Sequence, residues 1–341
     1  MPAPTVLVAQ RIRRATAGRR PVLLVGTTMG GGPSHWAARD HARAGLPLYA
    51  TPEAARTFDD DLTVLQRELG LRVVSDDEAA RLRGVERIRL RDLELDRIGA
   101  VFRSFGVELE LDGLVVGVFD HGEAPPGTSD RLFRLQYLAE RLRQGSLESF
   151  AYRAEDIPAS MTRMRGVARV AREATEVPVV VMDTGPAAAL GALEDPDVRA
   201  QPESLVVNVG TFHTLAFRFR GGLVGGLFEH HTGLLDRARL EDLLEDLARG
   251  TIDHETVFQE HGHGAWTRDR TPSSPSVVAV TGPRRALLKG SRLPVRFPAP
   301  YGDQMLTGCF GMLRAAASVV PDWQGRIEEV LRPSAQTSTC R

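Results

Sequence analysis

Cysteine is nearly absent from this 341-residue chain: Cys309 and Cys340 are the only two. Two distant thiols make neither a disulfide framework nor the thiolate cradle of an iron–sulfur cluster or structural zinc, which excludes a large class of redox chemistry. Cys309, within LTGCFGML, is expected as a small core residue and Cys340 as a tail residue. Net charge is scarce as well. Forty-three basic side chains against forty-four acidic leave −1, so no overall field draws the protein toward nucleic acid or membrane. The basic run RIRRATAGRR (11–20) is the local exception and reads as the solvated face of a helix. No apolar run approaches the roughly 20 residues of a membrane span. The N-terminus lacks the apolar core of a secretory signal, so a cytoplasmic location is expected. Aromatic residues make up 6% beside 42% apolar and 26% charged, which suits an ordinary globular protein long enough for two cores.

What is present is alternation. PVLLV, LRVVS and LVVGVF read as strands; SHWAARDHARAG, closed by Gly45, PEAARTFDDDLTVLQRELG, a segment from Asp76 and another over Leu93 to Phe105 read as helices. Such alternation implies a mainly parallel sheet with ligands at the carboxyl ends of its strands. Three loops qualify: GTTMGGGP, the Asp120-His121-Gly122-Glu123 turn and Asp183-Thr184-Gly185. Helical segments are expected over 129–144 and 159–173, Arg-rich on one face. After a Pro- and Asp-rich break at 194–203 the texture changes, and SLVVNVGTFHTLAFRFRGGLVGGLFEHHTG reads as an antiparallel meander. The division therefore falls between an N-terminal α/β domain, 1–195, and a C-terminal α/β domain, 196–341, with the meander and closing helices.

Glycine and histidine carry the candidate chemistry. Gly30, Gly31 and Gly32 form a strand-to-helix loop of phosphate-binding type, without the Lys-Ser/Thr of a nucleotide-triphosphate loop. Ser34 is expected as the helix cap, and His35 and Trp36 as packing residues. In VVNVGTFHT, Asn208, Gly210, Thr211, His213 and Thr214 could present amides and hydroxyls to an anion or serve a plain hairpin turn. Gly282 and Arg284 in TGPRR, and Asp303 with the glycines at 302, 308 and 311 at a helix start, extend the same cofactor-binding pattern. Six of the nine histidines fall between 213 and 263. On a regular strand His230 and His231 face opposite ways, whereas His261 and His263 would share a face. With Asp120, His121 and Glu229, the residues His230, His231 and His263 are the catalytic candidates, and His231 and His263 the metal candidates. Three roles stay open for them: metal ligation, proton transfer, and hydrogen bonding along a cleft wall with Glu229 as partner.

The order of the glycine elements resembles the second half of the superfamily of actin, sugar kinases and chaperone ATPases. More specifically, GTTMGGGP, LYATPEAARTFDDD, FDHGEAPPG, DTGPAAALGAL, NVGTFHTLAF, GLFEHHTG, GHGA, TGPRR and GDQMLTGCFG resemble domain of unknown function family 1786, commonly labelled a pyruvate formate-lyase activating enzyme. The label does not suit a chain with two cysteines, because that radical chemistry needs three thiolates round a cluster. The resemblance implies a two-domain actin/sugar-kinase-like (ribonuclease H-like) α/β fold with an interdomain cleft. Two departures stand out. The first phosphate hairpin is missing, since APTVLVAQ starts just after its place, and Asn208 stands where the second hairpin has Asp. Usual ATP hydrolysis is therefore not expected.

The expected function is an enzyme, of transferase or hydrolase/lyase type, acting on a small anionic or phosphorylated metabolite by His/Asp acid–base or metal-assisted chemistry. The alternative is a nucleotide-binding regulatory or activator protein without turnover. A divalent metal and a nucleotide are the candidate cofactors; an iron–sulfur cluster is excluded. The expected partner is the small anionic substrate, with no nucleic acid and no membrane, and a homodimer stays open.

Overall fold

In a computed structural model that describes residues 2–332, the first apolar run becomes a strand, β1 (Val22–Gly26). Cys340 lies outside the described residues. The chain divides into two compact units whose segments interleave. One gathers the residues up to Leu114 with Gly122–Gly127 and Asp156–Val179; the other holds Val115–His121, Thr128–Glu155 and the chain from Val180 onward. Residue 195 thus lies within the second unit.

The first unit is built on a four-stranded parallel sheet of β1, β2 (Leu48–Ala50), β3 (Leu71–Val73) and β4 (Glu86–Leu90), in the order β3-β2-β1-β4. Side chains alternate across a strand. Val22 and Leu24 accordingly join Ile12 and Ile88 in one core, while Leu23 joins Val74 and Ala79 on the other face. Strand β4 is an addition to the sequence reading, which ran from a helix at Asp76 straight to one at Leu93. Its pattern, ERIRL, hides a strand because every second residue is charged. Ile88 and Leu90 are buried, and Glu86 instead pairs with Arg11 at 3.3 Å and Arg20 at 2.9 Å. These arginines belong to the basic run. Helix Pro4–Ala17 buries Val8, Ala9, Ile12 and Ala15 and leaves most of its arginines exposed.

Helix Pro33–Arg43 follows Gly32, whose φ of +48° belongs to glycine. Ser34 is not its cap. It sits inside the first turn, fully buried, and its hydroxyl donates to the Gly31 carbonyl at 2.8 Å. Trp36 is 46% exposed, whereas His35 sets its ring edge-on to Phe58.

The second unit holds the other strands. A three-stranded sheet of β5 (Leu114–Val118), β6 (Ala151–Arg153) and β7 (Val179–Asp183) runs β5-β7-β6. A six-stranded sheet comprises β8 (Glu203–Val209), β9 (His213–Arg220), β10 (Leu223–His231), β11 (Gly264–Thr267), β12 (Val277–Thr281) and β13 (Val295–Arg296), in the order β11-β10-β9-β8-β12-β13. Strands β8 to β11 are antiparallel neighbours, so the meander is as the sequence implied; β12 runs parallel to β8, and β13 to β12. Gly221 and Gly222, with φ of +55° and +78°, make the β9–β10 turn of the kind that needs two left-handed residues. Alternation divides the core cleanly. Val207, Ala216 and Phe228 meet Leu240, Leu243 and Leu247 of helix Arg237–Arg249, while Val206, Phe217 and Leu227 meet Leu138 and Ala189 on the opposite face.

Beneath that second face, helix Thr184–Ala192 packs on helix Thr307–Val319. A Cβ on Gly311 would stand 1.9 Å from the Ala187 carbonyl oxygen, and one on Gly191 only 1.7 Å from that of Thr307. Gly311 therefore serves helix–helix contact rather than an anion, and Gly302 lies outside the helix altogether. Cys309 is exposed, not a core residue. The protein is a mixed α/β protein with one parallel and further mixed sheets, and no helix among the described residues is long and apolar enough to cross a membrane.

Candidate functional site

Strand register brings the first two imidazoles of the second unit together. His213 opens β9 and His231 closes β10, and the two are paired directly across the ladder, so their side chains share a face. Their ring centroids lie 5.0 Å apart. The third arrives from the edge of the sheet: the His263 amide donates to the Glu229 carbonyl at 2.9 Å, fixing His263 one residue before β11. Its ring is 5.1 Å from His213 and 5.0 Å from His231. His121, three residues after β5, supplies the fourth, 5.2 Å from His213 and stacked on His263 at 5.4 Å. Ligand atoms of His121, His213 and His263 all lie within 4.8 Å of one another. Phe119 lies flat against His213, ring planes 10° apart at 4.1 Å, which holds that imidazole in place.

Behind the rings is a buried ionic group. Arg134, on helix Asp130–Gln144, is fully buried, as are Asp183 and Glu229. Its guanidinium donates to both oxygens of Asp183, to Glu229 Oε2 at 3.2 Å and to the Asp120 carbonyl at 3.1 Å. It also lies over the Phe119 ring at 4.6 Å. Asp183 does double duty, because its Oδ1 accepts the Gly185 amide at 2.9 Å and caps helix Thr184–Ala192. Burial works against the Arg134 charge, but Asp183 and Glu229 outweigh it and raise its pKa. Burial also raises Asp183, with Arg134 opposing.

These surroundings favour the neutral form of His213, His231 and His263. Burial drives His213 well below its usual value; the Glu229 charge pulls the other way, and His121, His263 and His231 add to the lowering. Burial, then His231 and Arg134, push His263 down to about 2. His231 is lowered by burial and by His230. A neutral imidazole offers a lone pair as well as an N–H. Here several have no protein partner: His213 Nε2 and both ring nitrogens of His263 are buried without one, as is Glu229 Oε1. Buried polar atoms are nearly always paired, so a group of orphans marks a place for something else.

The remaining candidates are placed as follows. His230 turns to the opposite face, 1% exposed, with Nδ1 at 3.2 Å from the His231 carbonyl and Nε2 at 4.0 Å from Glu260. The expectation that His261 and His263 share a face is overturned. His261 adopts a left-handed φ of +65° after helix His254–Gln259 and is exposed, while His263 is fully buried. Asp120 is buried in the second unit beside its neighbour His121. Glu123 belongs to the first unit, where it pairs with Arg56 at 3.1 Å.

In the first unit the Gly30 amide already faces a carboxylate, 3.2 Å from each oxygen of Asp92, which Arg163 clamps at 2.7 and 3.0 Å. Gly31 gives its carbonyl to Thr5 and Ser34; Gly32 ends the loop. In the second unit the Gly210 amide closes its own turn on the His213 carbonyl at 2.9 Å, beside exposed Thr211. The Thr214 hydroxyl is buried against that of Thr232. Asn208 and Thr281 are paired at the carboxyl ends of β8 and β12. There Gly282, φ +96°, passes so close that a Cβ would reach 2.4 Å from the Val209 carbonyl oxygen. The Arg284 amide donates to that carbonyl at 3.0 Å. Asp303 caps the following turn through Met305 and Leu306 amides.

Sequence reasoning missed Arg134 as a site residue, left Asp183 as a loop position and did not weigh Phe119. The available signal was an arginine in step with Leu135, Leu138 and Leu142 on the buried side of its helix. No curated protein matches the chain. Residues 29–287, more than half of its length, match the family described as "Putative pyruvate format-lyase activating enzyme (DUF1786)", and the chain belongs to that family.

Proposed function

We propose that the protein is an enzyme whose reaction centre is the imidazole cluster of the second unit, acting on a small anionic metabolite by proton transfer in a transferase, hydrolase or lyase reaction. The observation that carries this reading is the juxtaposition of His121, His213, His231 and His263, with His213 Nε2 and both His263 nitrogens buried and without a hydrogen-bond partner. Neutral imidazole is the form that accepts a proton from a water or hydroxyl, and burial favours it for His213, His231 and His263. His231, partly exposed and directly across from His213, is the base in this reading. The family's description supplies no route to the reaction, since a radical activating enzyme needs three thiolates and the chain has two cysteines.

Placement with the actin and sugar-kinase superfamily belongs to the same proposal. The β8–β9 hairpin followed by β12 and Gly282, with the small-residue helices Thr184–Ala192 and Thr307–Val319 in contact, supports it. A second reading, a nucleotide-binding regulator without turnover, is favoured by the adjacent Asn208 and Gly282 loops at the carboxyl ends of a parallel pair. Screening the full chain against phosphorylated and carboxylated metabolites tests the first. Turnover is expected, and His231→Asn lowers kcat/KM by about 100-fold or more with the melting temperature unchanged. Turnover indifferent to His231→Asn sinks the assignment. Stabilisation by ADP or ATP, with no turnover of any metabolite, selects the regulator.

A further inference from the structure

We infer that His121, His213 and His263 together hold one divalent transition-metal ion, with His231 left beside it and not on it. Three independent observations converge. The first is geometric: three imidazoles from three separate segments bring their ligand atoms within 4.8 Å of one another. His263 is fully buried, while His121 and His213 are only partly so.

The second is the unmet hydrogen bonding. His213 Nε2 and both nitrogens of His263 are buried with no protein partner. Because ligand nitrogens of three rings lie within 4.8 Å of one another, each can give a lone pair to one shared cation.

The third is charge. Two buried carboxylates, Asp183 and Glu229, face the single guanidinium of Arg134, and Glu229 Oε1 has no partner. Two buried carboxylates behind the rings, one with an unpartnered oxygen, are a setting in which a cation in front of them is favourable. Imidazole donors select zinc, cobalt, nickel, copper or iron over magnesium and calcium, which take oxygen ligands. A set of three histidines leaves a coordination position open, the arrangement of catalytic rather than structural zinc. His231, ring centroids 5.0 Å from His213 and from His263, then stands where it can take a proton from a water in that position. The inference deepens the proposed function, yet its test does not depend on turnover.

The full chain is stripped with a chelator, reloaded with Zn2+ or Co2+, freed of loose metal by gel filtration and assayed for bound metal. One equivalent per chain is expected, and Co2+ gives the absorption bands of a low-symmetry nitrogen site. His213→Asn and the partly exposed His121→Asn should each weaken affinity by more than the about 10–100-fold that loss of an outer partner costs. His231→Asn keeps the full equivalent. No retained metal in a natively folded protein overturns the inference, as does metal that survives both His121→Asn and His213→Asn. Metal retained with no turnover of any metabolite would spare the inference and sink the proposed function; turnover by a folded protein that retains no metal after reloading would do the reverse.

Discussion

His41 in the first unit and His263 in the second are equally buried, each with 0% exposure, and both are pushed below their ordinary pKa chiefly by burial. Their nitrogens differ. His41 Nδ1 lies 2.8 Å from the Thr16 hydroxyl and Nε2 lies 3.2 Å from the Pro47 carbonyl, so both nitrogens have a partner within the protein. His263 uses neither nitrogen within the protein. Burial alone therefore does not separate a structural histidine from a functional one. Hydrogen-bond accounting separates these two rings, but His230 Nε2 and His254 Nδ1 are also buried without a partner, so orphaned nitrogens point to a site only where they cluster.

The largest effect expected from breaking this comparison comes from behind His263. Arg134→Met leaves Asp183 and Glu229 buried without their cation and should cost about 3–5 kcal/mol of stability, read by urea unfolding. A loss below 1 kcal/mol on the order-of-magnitude scale of surface changes would mean that the carboxylates do not need Arg134. A smaller, sharper contrast comes from the two rings. His41→Leu strands the Pro47 carbonyl and should cost about 1–3 kcal/mol. His263→Leu in metal-free protein removes two orphaned nitrogens and should change stability by less than about 1 kcal/mol. Equal losses at the two positions would dissolve the distinction.

The smallest effect is in pH. Both folded-state values lie below the ordinary 6.5. Below that value the unfolded chain binds more protons than the native state, so the stability of metal-free protein holds above about pH 6.5 and falls as pH drops toward the folded-state values. Denaturation midpoints measured on either side of that pH should show it, and His41→Leu and His263→Leu should each flatten the slope. A slope untouched by either substitution would assign it to other groups.

How legible this was in the sequence depended on range. β1 and the meander followed from runs such as PVLLV and LVVNV, whose periodicity is local. β4 escaped because Arg87 and Arg89 mask Ile88 and Leu90, and their solvation is settled only by what the strand packs against. The opposed faces of His230 and His231 were readable from a two-residue period. That of His263 was not, because a left-handed His261 redirects the chain just before it. Gly311 carried the signature of close approach, but its neighbour proved to be the Ala187 carbonyl, a residue 124 positions away by difference of numbering.

The sequence by itself determined the α/β class, the meander, the family and the poverty of thiols, since each rests on composition or on patterns a few residues long. Only the tertiary structure decided which imidazoles meet and that Arg134, Asp183 and Glu229 lie behind them. Those facts depend on strand register and burial, which are set by packing between segments far apart in the chain, and no local pattern records them.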